Sequence, residues 1–446
     1  MTCRRFTLSL GIGAWLALEA AGAAPAPDDA RPNIILVLAD DLGAPDVGCY
    51  GSKEHRTPNL DRMAAEGLRI ETFYATPLCT PTRVAVMTGR YGFRSGYLGM
   101  QDPAFKPAPA SAEWHIGNHF THADLLKSRG YATALAGKWQ LPGAHPTLIH
   151  DCGFEEYRMW AYKENLPEGV EHTGAWEGAP GKSRTSRYWH PSLVENGRYL
   201  STKPDDYGPE MLHEFVVDFI RRHQDGPCFV YYTSLLTHAP REPTPDPEHP
   251  GRRLPGNLKT NIEYLDHLMG KLVRAIEEMR LGRKTVVLFV GDNGTGGNGK
   301  GTVTELGVRV PFIAWGPGIV KPAKGAERAL GDLTDILPTL AELAGAELPK
   351  DTAFDGKSLL GLLRGERASH REWIYSFLDD GRILRDSRWL LEIPRGGKPE
   401  RFFDCGERRD GTGYADVTGS GGAEVKAARE RFAKILAAMP EPRPRR

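Results

Sequence analysis

Four short apolar runs, separated by stretches with helical periodicity, constrain the fold of this chain more than any other feature. The runs are rich in β-branched residues and show no alternation, which is typical of strands buried on both faces of a parallel sheet. They are Ile34–Ala39, Tyr131–Ala136, Cys228–Ser234 and Thr285–Val290. Strands alternating with helices imply an α/β fold, in which a mostly parallel central sheet is covered by helices on both faces.

Amphipathic segments between and after these runs predict the covering helices. A proline in the first turn and a terminal glycine bound the earliest of them. The predicted helices are Pro58–Gly67, His122–Arg129, Met211–Arg222, Leu258–Ile276 and Leu333–Leu340. The composition shifts near Glu347, after which short strands at Trp373–Phe377 and Trp389–Ile393 precede a helix at Glu424–Met439. We therefore expect a main α/β domain over residues 31–346 and a smaller C-terminal α+β subdomain over residues 347–446.

The first 23 residues have the pattern of a secretory signal peptide. Arg4 and Arg5 precede the apolar run Phe6–Leu18, and small residues follow it. The run is too short to span a bilayer comfortably. The sequence predicts an exported protein, periplasmic or secreted, with no membrane span in the mature chain. An uncleaved anchor is the alternative interpretation.

Charge and cysteine content exclude several classes of function. Lys+Arg and Asp+Glu are both 57, so the formal net charge is zero. Such a chain has no global field to hold nucleic acid or an anionic membrane, and any anion must be bound by a local site. The six cysteines show no zinc-binding spacing. Once Cys3 leaves with the signal peptide, five remain, so at least one is unpaired in an oxidising compartment. Pairing among Cys49, Cys152, Cys228 and Cys405 stays open.

Polar residues follow each of the four predicted strands. Because ligands of open α/β sheets bind beyond the carboxyl ends of the strands, we expect these residues to share one site. They are Asp40, Asp41, Lys138, His238, Asp292 and Asn293. Carboxylates and an amide carbonyl are hard oxygen donors that suit Ca²⁺ or Mg²⁺. The sequence thus predicts a divalent cation bound by Asp40, Asp41, Asp292 and Asn293.

A cysteine motif provides a candidate nucleophile. Thr80 is a plausible helix N-cap and Pro81 suits the first helical position, which would put Cys79 at a helix N-terminus where anions are favoured. Arg83 follows one turn later and could neutralise such an anion. Cys79 is therefore a candidate nucleophile. A buried thiol beside a structural arginine is the alternative.

The motif Cys79-Thr80-Pro81-Thr82-Arg83, followed by Thr88-Gly89-Arg90, resembles the signature of the type I sulfatases of the alkaline phosphatase superfamily. Other blocks match in the same order along the chain, from about Asn33 to the C-terminal helix. They include Leu38-Ala39-Asp40-Asp41, Gly137-Lys138-Trp139, Thr237-His238-Ala239-Pro240, Gly291-Asp292-Asn293-Gly294 and Gly299-Lys300-Gly301-Thr302.

The resemblance implies a sulfuric ester hydrolase with an alkaline-phosphatase-like fold and one bound Ca²⁺. Cys79 would be converted by a formylglycine-generating enzyme to an aldehyde, whose hydrate attacks sulfur with one hydroxyl and expels sulfate through the other. Arg83 would stabilise this diol, and Lys138 and Lys300 would hold the sulfate oxygens. His238 would protonate the leaving oxygen.

One position departs from the family pattern. Many members have histidine where this chain has Gln140, which can form hydrogen bonds but cannot act as a base. His145 is a candidate substitute. Both residues are assigned to substrate binding.

The expected substrate is an extracellular sulfated saccharide or an aryl sulfate. Aromatic residues in the middle of the chain are candidate sugar platforms, with core packing as the alternative; they are Trp139, Trp160, Trp176, Tyr188 and Trp189. A phosphodiester or phosphonate hydrolase on the same scaffold and a non-catalytic glycan-binding relative are the rival hypotheses. The segment Gly294–Lys300 is close to a nucleotide-binding loop, but Gly301 occupies its Ser/Thr position.

Overall fold

A nine-stranded sheet forms the centre of the protein. The computed structural model describes residues 31–100, 115–141, 147–161, 176–177 and 184–439. The five middle strands run parallel, and two further strands join at each edge through antiparallel pairings, so the predicted mostly parallel sheet is confirmed. From edge to edge the strands are Leu68–Arg69, Phe312–Trp315, Thr285–Gly291, Asn33–Ala39, Cys228–Thr233, Ala132–Lys138, Glu156–Trp160, Leu193–Glu195 and Arg198–Tyr199.

Burial on both faces of the sheet explains why apolar and polar residues do not alternate in the central strand Asn33–Ala39. Ile34 and Leu36 pack into the core on one face of the sheet, whereas Ile35 and Val37 pack into the core on the other. All four side chains are fully buried. Because both faces need apolar side chains, a continuous apolar run marks this strand.

Helices cover both faces, as predicted. The longest, Leu258–Glu278, begins with a capping box between Asn257 and Thr260. The helices are Pro58–Glu66, Cys79–Thr88, Gly92–Ser95, His122–Ser128, Thr147–Asp151, Gly208–Arg222, Leu258–Glu278, Glu305–Val308, Ile336–Leu343, Leu360–Leu363 and Ala423–Ala437. Among the described residues, none of these helices has both the length and the apolar character needed to cross a bilayer. The predicted signal peptide, residues 1–23, lies outside the described residues.

A smaller antiparallel sheet follows the main one and is covered by the last helix, as the α+β prediction requires. Its strands are Trp373–Leu378, Gly381–Asp386, Trp389–Ile393, Arg401–Asp404 and Ala415–Asp416. Phe432 of the last helix packs on Phe402 with ring centroids 5.6 Å apart. The sequence did not predict the strand Gly381–Asp386, because its charged residues interrupt the apolar pattern.

Short strands complete the secondary structure. A three-stranded sheet comprises Thr72–Tyr74, Arg309–Val310 and Leu330–Asp332. Two hairpins pair Thr244–Pro245 with Arg253–Leu254 and Trp176–Glu177 with Arg184–Thr185.

Candidate active site

The register of the parallel strands brings the predicted polar residues to one edge of the sheet. Ala39 pairs with Gly291, so Asp40 and Asp292 leave adjacent strands at the same level. Thr233 pairs with Gly137, which puts Lys138 at this edge too. The four predicted cation ligands are almost completely buried, with side chains at 0–2% exposure: Asp40, Asp41, Asp292 and Asn293.

Asp40 is surrounded by cations. The Lys138 ammonium lies 2.9 and 3.0 Å from its two carboxylate oxygens, and the Arg83 guanidinium lies 3.8 Å away. Burial by itself would raise the pKa of Asp40. The charges of Lys138, Arg83 and Lys300 outweigh it and hold this pKa far below its ordinary value, so the carboxylate stays ionised.

Asp41 is held by four neighbouring groups. Its backbone is left-handed, with a φ of 58°, and its amide donates a 2.9 Å hydrogen bond to Asp292. Its carboxylate accepts from the Asn293 side chain at 2.9 Å and lies 2.5 Å from the Lys300 ammonium. The His238 Nε2 is 3.8 Å from the other carboxylate oxygen. Non-glycine residues rarely adopt this conformation, so these contacts fix Asp41 in an uncommon geometry.

Arg83 bridges two strand ends. One nitrogen donates to the Lys138 carbonyl at 2.9 Å and another to the Asp292 carboxylate at 2.9 Å. Even so, burial and the neighbouring Asp40 raise the pKa of Asp292 to about 7. A second buried carboxylate beside Asp40 is therefore costly to ionise, although Arg83 offsets part of that cost.

The amide nitrogen of the Asn293 side chain forms hydrogen bonds, whereas its amide oxygen has no hydrogen-bond partner among the described residues. Its Nδ2 donates to Asp41 and to the Gly294 carbonyl, at 2.9 and 2.8 Å. Its Oδ1 is buried and accepts no hydrogen bond within the described part of the chain. A buried amide oxygen without a donor favours a cation as its partner.

Ligand-capable atoms of Asp40, Asp41 and His238 lie within 4.8 Å of one another. The carboxylate of Asp292, by contrast, contacts Arg83 and the Asp41 amide. Among the described residues, the three-residue group that could hold a metal ion thus includes His238 and does not include Asp292.

Cys79 lies at the beginning of the helix Cys79–Thr88 and is 1% exposed. The prediction that Thr80 caps this helix is wrong, because the helix already begins at Cys79 and Leu78 occupies the cap position. Thr82 ties the helix to the site by donating a 2.7 Å hydrogen bond to the Asp292 carbonyl. Cys79 thus begins the same helix whose next turn places Arg83 on Asp292. The five cysteines described, Cys49, Cys79, Cys152, Cys228 and Cys405, are all free thiols.

His238 presents its Nε2 to the site. Its Nδ1 lies 2.5 Å from the Ala239 carbonyl, which can only accept, so Nδ1 carries the hydrogen of the neutral ring. Burial, assisted by Lys138 and Arg187, lowers the pKa of His238 to about 2. The ring is therefore neutral before substrate arrives, with the Nε2 lone pair towards Asp41.

Gln140 lies just beyond Lys138 and is 5% exposed, with a φ of 53°. Its Oε1 is buried and has no hydrogen-bond partner among the described residues. His145, the other candidate substrate contact, lies outside the described residues.

Sequence reasoning missed Arg187 and Arg241 because both lie in loops rather than at strand ends. Arg187 is 1% exposed, its guanidinium lies 4.0 Å from the Trp160 ring centroid, and its charge acts on His238. Arg241 donates a 2.6 Å hydrogen bond to the Gly296 carbonyl, in the loop that leads to Lys300. No local motif marks either residue.

Most of the aromatic residues considered as sugar platforms belong to the core. Trp139, Trp160 and Tyr188 are 0–3% exposed, so this interpretation is wrong for them. Trp189 is partly exposed, and the Arg253 guanidinium lies 3.5 Å from its ring centroid. The Trp176 side chain is outside what the structure describes.

Comparisons with known proteins agree on one family. The Sulfatase family model matches residues 32–346. Mouse (Mus musculus) steryl-sulfatase is 33% identical, with 84% of this chain and 71% of the relative covered. Dog (Canis lupus familiaris) N-acetylgalactosamine-6-sulfatase is 34% identical, with 81% and 71% covered. The solved structure of the PsFucS1 sulfatase from Pseudoalteromonas sp. matches with a TM-score of 0.71 and 23% identity, covering 92% of this chain and 91% of that one.

The fold is therefore alkaline-phosphatase-like, and its sheet edge carries the buried acidic and basic groups described above. The chain belongs to the sulfatase family, whose members hydrolyse sulfate esters.

Proposed function

We propose that this sulfatase removes sulfate from an exported sulfated carbohydrate, with a formylglycine formed from Cys79 and one calcium ion. The observation that carries the proposal is the interleaving of three buried carboxylates with three cationic side chains at one sheet edge, beside the start of the Cys79 helix. The carboxylates are Asp40, Asp41 and Asp292, and the cations are Arg83, Lys138 and Lys300.

The residues present fit a calcium ion. Asp40, Asp41, Asp292 and Asn293 offer hard oxygen donors, and the Asn293 Oδ1 is buried without a partner among the described residues. A divalent cation would also relieve the repulsion that makes Asp292 costly to ionise. When bound, calcium would supply Lewis-acid polarisation of the nucleophilic oxygen and of a sulfate oxygen.

Formylglycine at position 79 would supply a geminal diol, one oxygen of which displaces the alcohol from sulfur while the other later expels sulfate and restores the aldehyde. Cys79 is suited to hold such a group because its helix N-terminus stabilises negative charge. Arg83 lies one helical turn after Cys79, and its guanidinium is held by hydrogen bonds to the Lys138 carbonyl and Asp292. Its positive charge is therefore fixed in position before a substrate binds.

Lys138, Lys300 and His238 would act on the sulfate ester itself. The two lysines contact different carboxylates, Lys138 that of Asp40 and Lys300 that of Asp41, so each would bring a separate positive charge to the sulfate. His238 would first take up a proton at Nε2 as the anionic substrate binds, and would then pass that proton to the leaving oxygen. An arriving sulfate would offset the desolvation that otherwise keeps this ring neutral. Gln140 and His145 would contact the substrate.

The sulfated carbohydrate is proposed from two observations. The N-terminal pattern over residues 1–23 indicates export, which would place the enzyme in the periplasm or outside the cell. One of the relatives is named as an N-acetylgalactosamine-6-sulfatase. We also propose residues 31–346 as the catalytic domain and 347–446 as the C-terminal subdomain.

Peptide mass spectrometry tests the proposal most directly. The protein is produced with and without a co-expressed formylglycine-generating enzyme, and the peptide containing Cys79 is compared with the one containing Cys152, a buried control thiol. We expect conversion at Cys79 alone, with hydrolysis of a sulfated saccharide rising in proportion to the converted fraction. Full activity with an unmodified Cys79 thiol would remove formylglycine from the proposal. Matched phosphate and phosphonate esters test the rival hydrolase activity.

A further inference from the structure

A basic cleft lies at the end of the sheet opposite the candidate active site. Its volume is about 400 Å³, and its lining among the described residues contains no Asp or Glu but five cationic side chains, those of Arg31, Arg283, Lys284, Lys321 and Arg364. Pro32, Ile319 and Leu343 contribute apolar surface to it. In a chain with zero net charge, this is a local concentration of positive charge.

Three of these cations are exposed and lack a partner. Arg283, Lys321 and Arg364 have no carboxylate within ion-pairing distance in the described portion of the chain. The backbone holds them near one another, because the Lys321 amide donates a 2.6 Å hydrogen bond to Leu363, the residue before Arg364. An added Cβ at Gly318 would lie 2.2 Å from the Arg283 carbonyl, so that segment is closely packed as well. These three positive side chains repel one another, and an anionic ligand bound between them would relieve this repulsion.

The cleft is separate from the site at the carboxyl end of the sheet. Arg31 and Pro32 precede the strand Asn33–Ala39, and Arg283 and Lys284 precede the strand Thr285–Gly291. Each strand has seven residues, so its two ends are roughly 20 Å apart. One monosaccharide cannot occupy both places, whereas a polymer can.

We propose that this basic cleft is a second, non-catalytic binding site for sulfate groups of a sulfated polysaccharide. The choice of polymer rests on the proposed function; the charge of the site does not. The lining residues that the structure describes include no aromatic side chain on which nucleic-acid bases could stack. Pro32 and Leu343 are buried and Ile319 is only partly exposed, so the described lining offers no fully exposed apolar side chain of the kind that enters a membrane. The recessed cleft would therefore recognise the negative charge of its ligand.

Binding at the cleft would raise the local concentration of substrate at the active site. Tethering one segment of a polymer converts capture of the next segment into an effectively intramolecular event. For a flexible polyanion, each neutralised charge contributes about 0.7 to the slope of log affinity against log salt, so removing three cations lowers this slope by about 2. A slope lower by about 2 means that lowering the salt from 1 M to 0.1 M strengthens binding about a hundredfold less in the variant than in the wild type.

The test compares two charge-matched triple variants of the full chain. The cleft variant is Arg283→Ala/Lys321→Ala/Arg364→Ala. The control is Lys398→Ala/Lys426→Ala/Lys434→Ala, which removes three exposed lysines from the C-terminal region. Both are made in the Cys79→Ala background, and binding of labelled dextran sulfate is measured by fluorescence anisotropy across a salt series. Unsulfated dextran, phosphatidylglycerol vesicles and a short single-stranded DNA are the other probes.

We expect the cleft variant to lose about a hundredfold in dextran sulfate affinity at low salt, and the control to lose little. In the active, converted enzyme, the cleft substitutions should raise KM for a sulfated polysaccharide without changing kcat, and should leave hydrolysis of a small aryl sulfate unchanged. Equal losses in the two variants would overturn the proposal, as would a cleft variant that loses only vesicle or DNA binding. Binding is measured without turnover, so failure of the formylglycine proposal would leave this result standing.

Discussion

Replacing Arg83 by Met tests how strongly the buried charges of the site depend on one another. Arg83 is 1% exposed, and its guanidinium makes 2.9 Å contacts with both Asp292 and the Lys138 carbonyl. Methionine retains much of the length but not the charge, so Asp292 would be left buried beside Asp40 with no guanidinium. Breaking a buried pair from one side costs about 3–5 kcal/mol, a large part of the stability of an ordinary protein.

An exposed arginine provides the control. Arg62 also makes two 2.7 Å ion pairs, with Glu66 and Glu277, but its side chain is 46% exposed. The Arg62→Met variant should lose less than about 1 kcal/mol, because solvent screens exposed pairs. Urea unfolding of both variants at about pH 8, where Asp292 is ionised in the wild type, is followed by tryptophan fluorescence in the presence of a calcium chelator and gives the two free energies on one scale.

A double-mutant cycle separates the ion pair from the loss of packing. Asp292→Asn removes the charge that Arg83 neutralises, so the double variant should recover at least about 1 kcal/mol relative to the sum of the single losses. If Arg83→Met destabilises no more than Arg62→Met, or if the two losses simply add, the proposed electrostatic coupling of Arg83 with Asp292 is wrong.

Four further changes test the site from other directions. Cys79→Ala should abolish turnover of an aryl sulfate while circular dichroism shows an unchanged fold; a wild-type rate would refute the nucleophile. Asn293→Leu should remove the rise in melting temperature on adding calcium, and a rise as large as in the wild type would exclude its Oδ1 from the metal site. Gln140→His introduces a base, so the pH–rate profile should gain an ionisation near neutral pH; an identical profile would separate this position from proton transfer. Asp292 has a pKa raised by burial from 3.8 to about 7, so in metal-free protein its folded form holds a proton that the unfolded chain releases. Its contribution to stability is fully present below about pH 4 and is lost as pH rises to 7. The stability difference between the wild type and Asp292→Asn should fall over that range, and a flat or rising difference would contradict the assigned pKa.

The strands and their ends were accessible to prediction because they depend on local pattern. The continuous apolar run at Ile34–Ala39 predicts a strand buried on both faces, and the structure places the strand at Asn33–Ala39. Parallel neighbours then bring Asp40, Lys138 and Asp292 to one edge, since the register follows from that architecture. The polar side chains at the site were thus found from position as well as from resemblance.

Other features depend on contacts between distant segments, which the sequence pattern does not show. The strand Gly381–Asp386 contains Arg385, whose charge opposes a strand assignment until Glu305, 80 residues earlier, pairs with it inside the protein. Arg187 acts on His238 from a loop with no motif. Trp139 and Trp160 were candidate sugar platforms, with core packing as the alternative. Both side chains are buried in the core, because burying a large aromatic surface is favourable.

The arrangement of charge also explains how a neutral chain can act on anions. At the candidate active site, three carboxylates face three cations, so their charges cancel in the metal-free protein once the pH is above about 7 and Asp292 is ionised. A divalent cation would therefore give the site the positive charge that a sulfate ester requires, and anion binding there should depend on the metal. In the part of the chain that the structure describes, the basic cleft has no carboxylates in its walls. Anion binding at the cleft should consequently persist when a chelator removes calcium. Dextran sulfate affinity that disappears with calcium removal would place all of the binding at the active site and none at the cleft.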